Sequence, residues 1–480
     1  MAVDLLKVAT SGLFSSKTAL DTTGHNIANA NTEGFSRQKA VQQTAPGVGV
    51  GHRIFGTGSR VSHITREHDP LVEKQLNKAI TDYHYNKERG GLLGQIEDIF
   101  IELDEYGLNT TLNDFFNSFR DLANQPENET IRSVVREKAK RTIQGFRQIR
   151  KGLDEVSLNL GSKINVAVED VNSLIDQTVA LNKKINQTEV NQGETGDLRD
   201  RRDLAVKTLS EFFSLHTYVD EKRRFCVYAK GIGTIVAGEL PQHFHATKVS
   251  AEESTNGADG ATEVYFGSRR VGSVSNKFHK GLLGGLFETR NKHGKALQDG
   301  VDNIAFNFIE SVNAIHRRGH RYHEQKTGRQ IASSTSIDFF KPLDSKGNAS
   351  SKIDLSDAVK ESTHNIVTAL NPNSPGDNRV ALAISKLQHE KVLGDGTTTL
   401  EEEYLKSVGS VGLAARKSRI DEEHSNGLLA QMNAIKERIS GVSLDEEAAN
   451  MVRFQHAYEA SAKMIKTAEE MFQAVLAMKQ

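Results

Sequence analysis

Large apolar residues recur at every seventh position near both ends of this chain. Leu6, Leu13, Leu20 and Ile27 form the first series, and the small residues Ala9, Ser16 and Thr23 follow three places after its first three members. Leu444, Met451, Tyr458, Ile465 and Phe472 form the second, with Phe454, Ser461, Ala468 and Val475 as its companion positions. A seven-residue apolar repeat describes a helix that presents one seam to a partner. Each terminal helix would run about 30 residues, or roughly 45 Å at 1.5 Å per residue. Either stripe alone reads equally well as a buried core helix. Two complementary stripes predict ends that meet each other or meet other copies.

The middle of the chain repeats the pattern at greater length. Phe146, Leu153, Leu160, Ala167, Leu174 and Leu181 recur every seven, while their partners run Ile149 and Val156 and then slip by one to Ile164, Val171, Thr178 and Ile185. Such a slip is a phase change inside a continuous coil. Helical character begins near Ile131, which predicts a helix of about 55 residues, roughly 80 Å long. Leu297, Val301, Ile304, Phe308, Val312 and Ile315 mark a third stripe. Leu405, Val408, Val411 and Ala415, then Leu428, Met432, Ile435 and Ile439, mark a fourth. Only 7 prolines in 480 residues leave helices of this length unbroken. Strand signal is confined mainly to residues 213–240 and 262–276, short β-branched and aromatic runs cut by charged or glycine turns. Residues 341–352 and 371–378 read as loops.

The fold class is therefore mainly α with a β insertion: elongated and multi-domain, with coiled-coil terminal helices, a long-helix bundle and a small β domain. The division expected is 1–45 with 441–480 as a terminal assembly domain. Residues 46–212 with 281–440 form an α-rich middle domain, and 213–280 a small β-rich outer domain.

Composition narrows the function. Lys+Arg 61 against Asp+Glu 62 leaves a net charge of −1, so no global field favours nucleic acid or anionic lipid. The single cysteine, Cys226, excludes an intramolecular disulfide framework and any CxxC site. No run of 18 apolar residues occurs, so membrane insertion is not expected. The first residues, MAVDLLKVATSGLFSS, lack the apolar core of a cleavable secretory signal. That test alone reads as cytoplasmic, but it is blind to export routes that recognise an uncleaved segment.

Sites of chemistry are weak. His316, His320, His323 and Glu324 tempt a zinc reading, since His316 and His320 stand four apart. Gly319 breaks the helix between them and three arginines would repel a cation, so an exposed polar turn is favoured. The glycine runs at 46–58 and 231–238 lack a strand–GxGxxG–helix context. GLFSSKT (12–18) has Ser16 where a P-loop needs glycine. DLRDRRD (197–203) reads as ion-paired with its own aspartates, and the acidic runs at 421–423 and 446–447 as solvated faces or helix starts. No catalytic, cofactor-binding or metal residue is assigned.

The stretch NIANANTEGFSRQ (26–38) resembles the signature of bacterial flagellar axial proteins, the rod, hook and hook-associated subunits. Its motif residues here are Asn26, Asn29, Asn31, Thr32, Gly34, Arg37 and Gln38, and its turn chemistry ends the first helix. Residues 443–478 are similar to the matching last helix of that superfamily. Internal segments at 56–79, 124–139, 196–220, 280–290, 316–328 and 375–388 resemble the hook-associated protein 1 family. The resemblance spans nearly the whole chain, except that a large β insertion of many relatives is reduced here to about 30 polar residues after the DFF segment at 338–340.

The resemblance implies a structural adaptor between flagellar hook and filament, secreted through the flagellar type III apparatus without a cleaved signal. Its implied partners are the hook protein, the second junction hook-associated protein, further copies of itself in a ring, and a flagellar export chaperone. The assembly interface is then expected at Leu6, Leu13, Leu20, Ile27, Met451, Phe454, Tyr458, Ile465, Ala468, Phe472 and Val475. The alternatives are another axial subunit of hook or rod type, a secreted zinc-dependent hydrolase on a flagellar frame, and a cytoplasmic coiled-coil scaffold.

Overall fold

The structure, a computed structural model, describes residues 2–50, 53–100, 107–190, 195–257, 259–267, 272–321, 336–372, 374–394 and 396–477. Helix α1 (Ala2–Ala28) leads into a long hairpin, in which β1 (Gln38–Thr44) pairs antiparallel with β4 (Ser59–Arg66) and β2 (Val48–Val50) with β3 (Arg53–Phe55). Helix α2 (Pro70–Phe100) starts where Asp69 Oδ1 accepts the Leu71 N–H at 2.8 Å, with Pro70 in the first position, where no N–H is needed. Helices α3 (Leu108–Asn124) and α4 (Glu129–Val190) follow, the second capped by Asn128 Oδ1 on the Thr130 N–H at 3.0 Å. At 62 residues, α4 is longer than its heptads predicted.

Helix α5 (Gly196–Phe212) opens the β segment. Strands β5 (Leu215–Val219), β6 (Phe225–Ala229), β7 (Gly233–Ala237) and β8 (Leu240–Pro241) form an antiparallel meander, and β9 (Phe244–Val249) pairs with β10 (Ala261–Phe266). The chain returns through α6 (Gly281–Glu288), one π-helical turn and α7 (Lys295–His316), then α8 (Arg379–Lys386), α9 (Leu400–Ser440) and α10 (Leu444–Ala477). The start of α9 is fixed by a capping box between Thr399 and Glu402. Among the described residues no helix is long and apolar enough to cross a membrane.

Two apolar cores share α4. Phe146, Ile149 and Leu153 enter the first with α3, α7 and α9, where Phe115 meets Phe308 edge-on at 5.2 Å. Asn313 stitches that core together: its Oδ1 accepts the N–H of Phe339 at 3.0 Å and of Phe340 at 2.9 Å. Ile164, Val168, Val171 and Ile175 enter the second with Leu209, Val227, Val236, Phe244 and Leu286. The β segment thus builds its core on α4, α5 and α6.

The fold class is mainly α with small sheets, but details differ from the sequence reading, among them a short helix (Ala349–Lys352) inside the stretch 341–352 read as a loop. The β1–β4 hairpin was not foreseen, because QKAVQQT and SRVSHITR are mostly polar. Beyond β10, residues 272–277 form a turn ending in a 3₁₀ helix (Ser275–Lys277) in place of a strand.

Candidate assembly site at the paired termini

Helices α1 and α10 run antiparallel against one another, and two contacts fix their register. A Cβ added at Gly12 would lie 3.0 Å from Ser461 Oγ, and Asn26 Nδ2 donates to Glu447 Oε2 at 3.0 Å. Each helix advances two heptads between these contacts, so the seams keep step. The closed seam is made of small residues: Ala9, Ser16, Ala19 and Thr23 on α1, Ser461 and Ala468 on α10. Small side chains let two helix backbones approach closely. Two α1 hydroxyls instead anchor the β1–β4 hairpin, Ser15 Oγ to Ser59 O at 3.0 Å and Ser11 Oγ to Thr57 O at 3.3 Å.

The large apolar candidates flank this seam. Leu13, Leu20 and Ile27 are half-buried and Leu6 is exposed. On α10, Met451, Phe454 and Ile465 are half-buried, Ala468 is buried, and Tyr458 and Phe472 are exposed, the latter by half. The side chain of Val475 lies outside the described residues. Phe14, Val452, Met464, Met471 and Leu476 add further exposed apolar surface that the sequence reading did not single out.

The motif residues after α1 form the clasp. Asn26 is buried and uses its whole amide: Nδ2 also donates to Gln38 O at 2.8 Å, and Oδ1 accepts the Gln38 N–H at 2.9 Å. Asn29 Nδ2 donates to His25 O at 3.0 Å, closing the helix end, and Thr32 Oγ1 reaches Asn29 Oδ1 at 3.3 Å. Asn31 is exposed. Gly34 adopts φ +79°, and a Cβ there would stand 3.2 Å from Leu204 Cβ. Both conformation and space require glycine. Gln38 Nε2 donates to Asp197 Oδ1 at 2.8 Å.

Arg37 carries the closure, donating from Nε to Glu447 Oε1 at 2.8 Å and from a terminal nitrogen to Glu446 Oε2 at 2.7 Å. Glu447 is only 2% exposed, so of the two readings of 446–447 the solvated face fails there, while both residues do stand in the first turn of α10. Its signal was present in the sequence: Glu447 stands one, two and three heptads before Phe454, Ser461 and Ala468, a charge in a seam position.

A second joint ties the β1–β4 hairpin to the helical part. Arg66 donates to Asp200 Oδ1 at 2.5 Å and to Asp203 Oδ2 at 2.7 Å, while the Ser36 N–H donates to Asp200 Oδ2 at 3.0 Å. The aspartates of DLRDRRD are therefore claimed mainly by a distant arginine, and Arg202 stacks on Phe225 at 3.7 Å from the ring centre. Beside them Glu73 meets His68 at 3.4 Å. Burial, and then the Asp203 charge, push the Glu73 carboxyl up to about 7, while burial and then Arg66 lower the His68 imidazole.

His316 and His320 are buried, not exposed as the turn reading of this run predicted. His316 is fully buried; its Nδ1 lies 2.7 Å from Ile337 O, and its Nε2 accepts the Val367 N–H at 3.1 Å, which fixes the neutral tautomer. Desolvation holds its pKa down to about 4. His320 is also buried, its N–H bonded to Ala369 O at 2.9 Å. His323 and Glu324 lie outside the described residues.

Comparison with known proteins matches each of these parts. Residues 93–331 match the flagellar hook-associated protein FlgK helical domain, residues 6–35 the flagella basal body rod protein family, and 438–478 the flagellar basal body rod FlgEFG protein C-terminal family. Flagellar hook-associated protein 1 of Bacillus subtilis is 28% identical over 503 residues, covering 98% of this chain and 97% of that protein. Along almost its whole length this chain is similar to flagellar hook-associated protein 1. The family member of Salmonella typhimurium is 23% identical over 556 residues, covering 98% of this chain and 99% of its own, and so carries segments this chain lacks. The structure of the flagellar hook junction protein FlgK from Burkholderia pseudomallei superposes with a TM-score of 0.65 at 15% identity, over 76% of this chain and all of that one, which shows a shared fold. Members of this family are structural proteins of the flagellum.

Proposed function

We propose that this chain is a structural adaptor subunit that joins the bacterial flagellar hook to the filament. The observation that carries the reading is the antiparallel pairing of α1 with α10, which closes a small-residue seam and leaves large apolar side chains facing outward. A face of that kind is covered when copies pack side by side. Residues 1–45 with 441–480 serve as the assembly domain, 46–212 with 281–440 as the α-rich middle, and 213–280 as a β-rich outer part built onto it. Leu6, Leu13, Leu20, Ile27, Met451, Phe454, Tyr458, Ile465, Ala468, Phe472 and Val475 are the proposed contact residues.

The partners are the hook protein, the second junction hook-associated protein, further copies of the chain, and an export chaperone during type III secretion. The work is assembly, without catalysis, cofactor, nucleic acid or membrane insertion. The match of the middle helices to the hook-associated helical domain favours this reading over a hook or rod subunit.

A deletion strain tests it. The full chain should restore filaments on hooks seen by electron microscopy, whereas chains lacking 1–30 or 445–480 should keep the thermal transition of the middle part and restore none. Filaments restored by either truncation would overturn the reading.

A further inference from the structure

Where the β1–β4 hairpin meets the helices, side chains from three separate stretches converge. His68 lies in the link between β4 and α2, Glu73 in the first turn of α2, and Asp203 on α5. One ligand atom from each lies within 4.8 Å of the other two. His68 Nε2 and Glu73 Oε2 stand 3.4 Å apart, the spacing of two ligands bonded at about 2.1 Å to one tetrahedral metal ion. Among the described residues no other three histidine, cysteine or carboxylate side chains come this close. Each has a lone pair to give. Asp203 Oδ2 accepts from Arg66 at 2.7 Å, whereas its Oδ1 has Arg202 no nearer than 3.5 Å. Arg66 thus holds the carboxylate from behind, as a hydrogen-bond partner commonly does for a ligating carboxylate. Glu73 meets His68 at a distance too long for a strong hydrogen bond. Against Glu73 and Asp203 lies a cavity of about 10 Å³, room for a single water, with Ser36 and Asn77 also on its wall.

We propose that His68, Glu73 and Asp203 form a structural site for a divalent transition-metal ion, zinc above all, completed by water. One imidazole nitrogen and two carboxylates suit zinc, whereas magnesium prefers an all-oxygen shell. The surrounding cations limit how tightly the ion is held. Arg66 is taken by Asp200 and Asp203, Lys207 by Glu33 at 3.4 Å, and Arg202 stacks on Phe225. Lys436 lines the same cavity outside any described ion pair, so it is the charge an incoming metal meets. Affinity is therefore expected in the micromolar range, short of a fully enclosed structural zinc. An occupied site ties the end of the hairpin to α2 and α5 at once, and so locks the joint between the paired termini and the middle of the chain. The inference stands apart from the adaptor reading and does not depend on it.

The test uses the full chain, stripped of metal with a chelator and dialysed, with zinc chloride as the probe in titration calorimetry at neutral pH. Wild type should take up zinc with micromolar affinity and melt at a higher temperature as zinc is added, while magnesium chloride does neither. His68→Gln and Glu73→Gln should each weaken zinc binding by about tenfold or more, and each metal-free variant should keep a cooperative thermal transition. Lys436→Met removes the opposing charge without touching a ligand and should tighten binding about threefold. No zinc uptake by wild type, or undiminished uptake by both glutamine variants, would overturn the site. An affinity unchanged by Lys436→Met would place the ion elsewhere on the chain.

Discussion

Arg37 and Glu447 bind each other across 410 residues of sequence, with guanidinium nitrogens 2.8 and 2.7 Å from the same carboxylate oxygen. The two ends of the chain are thereby joined through a carboxylate that is almost wholly buried and that also holds Asn26. Removing one member leaves the others desolvated and unmatched.

Glu447→Ala should therefore destabilise the terminal hairpin by about 3 kcal/mol, the usual consequence of stripping one partner from a buried pair. Hydrogen exchange should quicken in α1 and α10 and stay unchanged in α4 and α7. Uniform protection throughout would show that the clasp contributes nothing.

Glu73 makes the joint beside Asp203 sensitive to pH. Its folded-state pKa is raised to about 7 from 4.5, so the folded chain holds more protons between those values. Its contribution is greatest below about pH 4.5 and is lost as pH rises through 7. Glu73→Gln should raise stability at pH 8 by about 2 kcal/mol and flatten that dependence. Urea unfolding at pH 5 and pH 8 checks it; an unchanged difference between the two would refute the assignment.

His316 acts in the opposite sense. Its folded-state pKa is lowered to about 4 from 6.5, so the unfolded chain binds the extra proton. Stability is full above about pH 6.5 and declines as pH falls towards 4, by about 3 kcal/mol in all. Replacing it with Gln, which can still donate and accept, should remove most of this slope in calorimetric scans from pH 7.5 to 4.5.

Gly281→Ala should be among the costliest single-methyl changes. The residue sits at φ +74°, and its Cβ would fall 2.4 Å from the carbonyl carbon of Phe212. Backbone cannot yield as a side-chain tip does, so a loss of about 3 kcal/mol is expected. A melting temperature within a degree of wild type would contradict it.

The long helices were legible because heptads are a local signal repeated many times over. Phe146 to Ile185 spelled out α4 on both sides of the phase slip between Val156 and Ile164. The joints were not legible, because each depends on partners far apart in sequence. DLRDRRD looks self-sufficient until Arg66 arrives from 134 residues away, and a charged residue such as Glu447 is ordinarily solvated. The seam shows a subtler gap: periodicity located both helices, yet large and small heptad positions have the same period. Which of them closes within the chain was decided by how closely α1 and α10 approach.

Helix α4 has a mechanical meaning. Val156 packs against both apolar cores, and the helix runs unbroken through them. Along α4 no loop separates the aromatic core from the β-bearing core. The two cores meet at Val156, within about 90 Å of continuous hydrogen-bonded backbone. A coupling set between two rotating shafts needs a stiff spoke of this sort, and here one helix is shared by both cores.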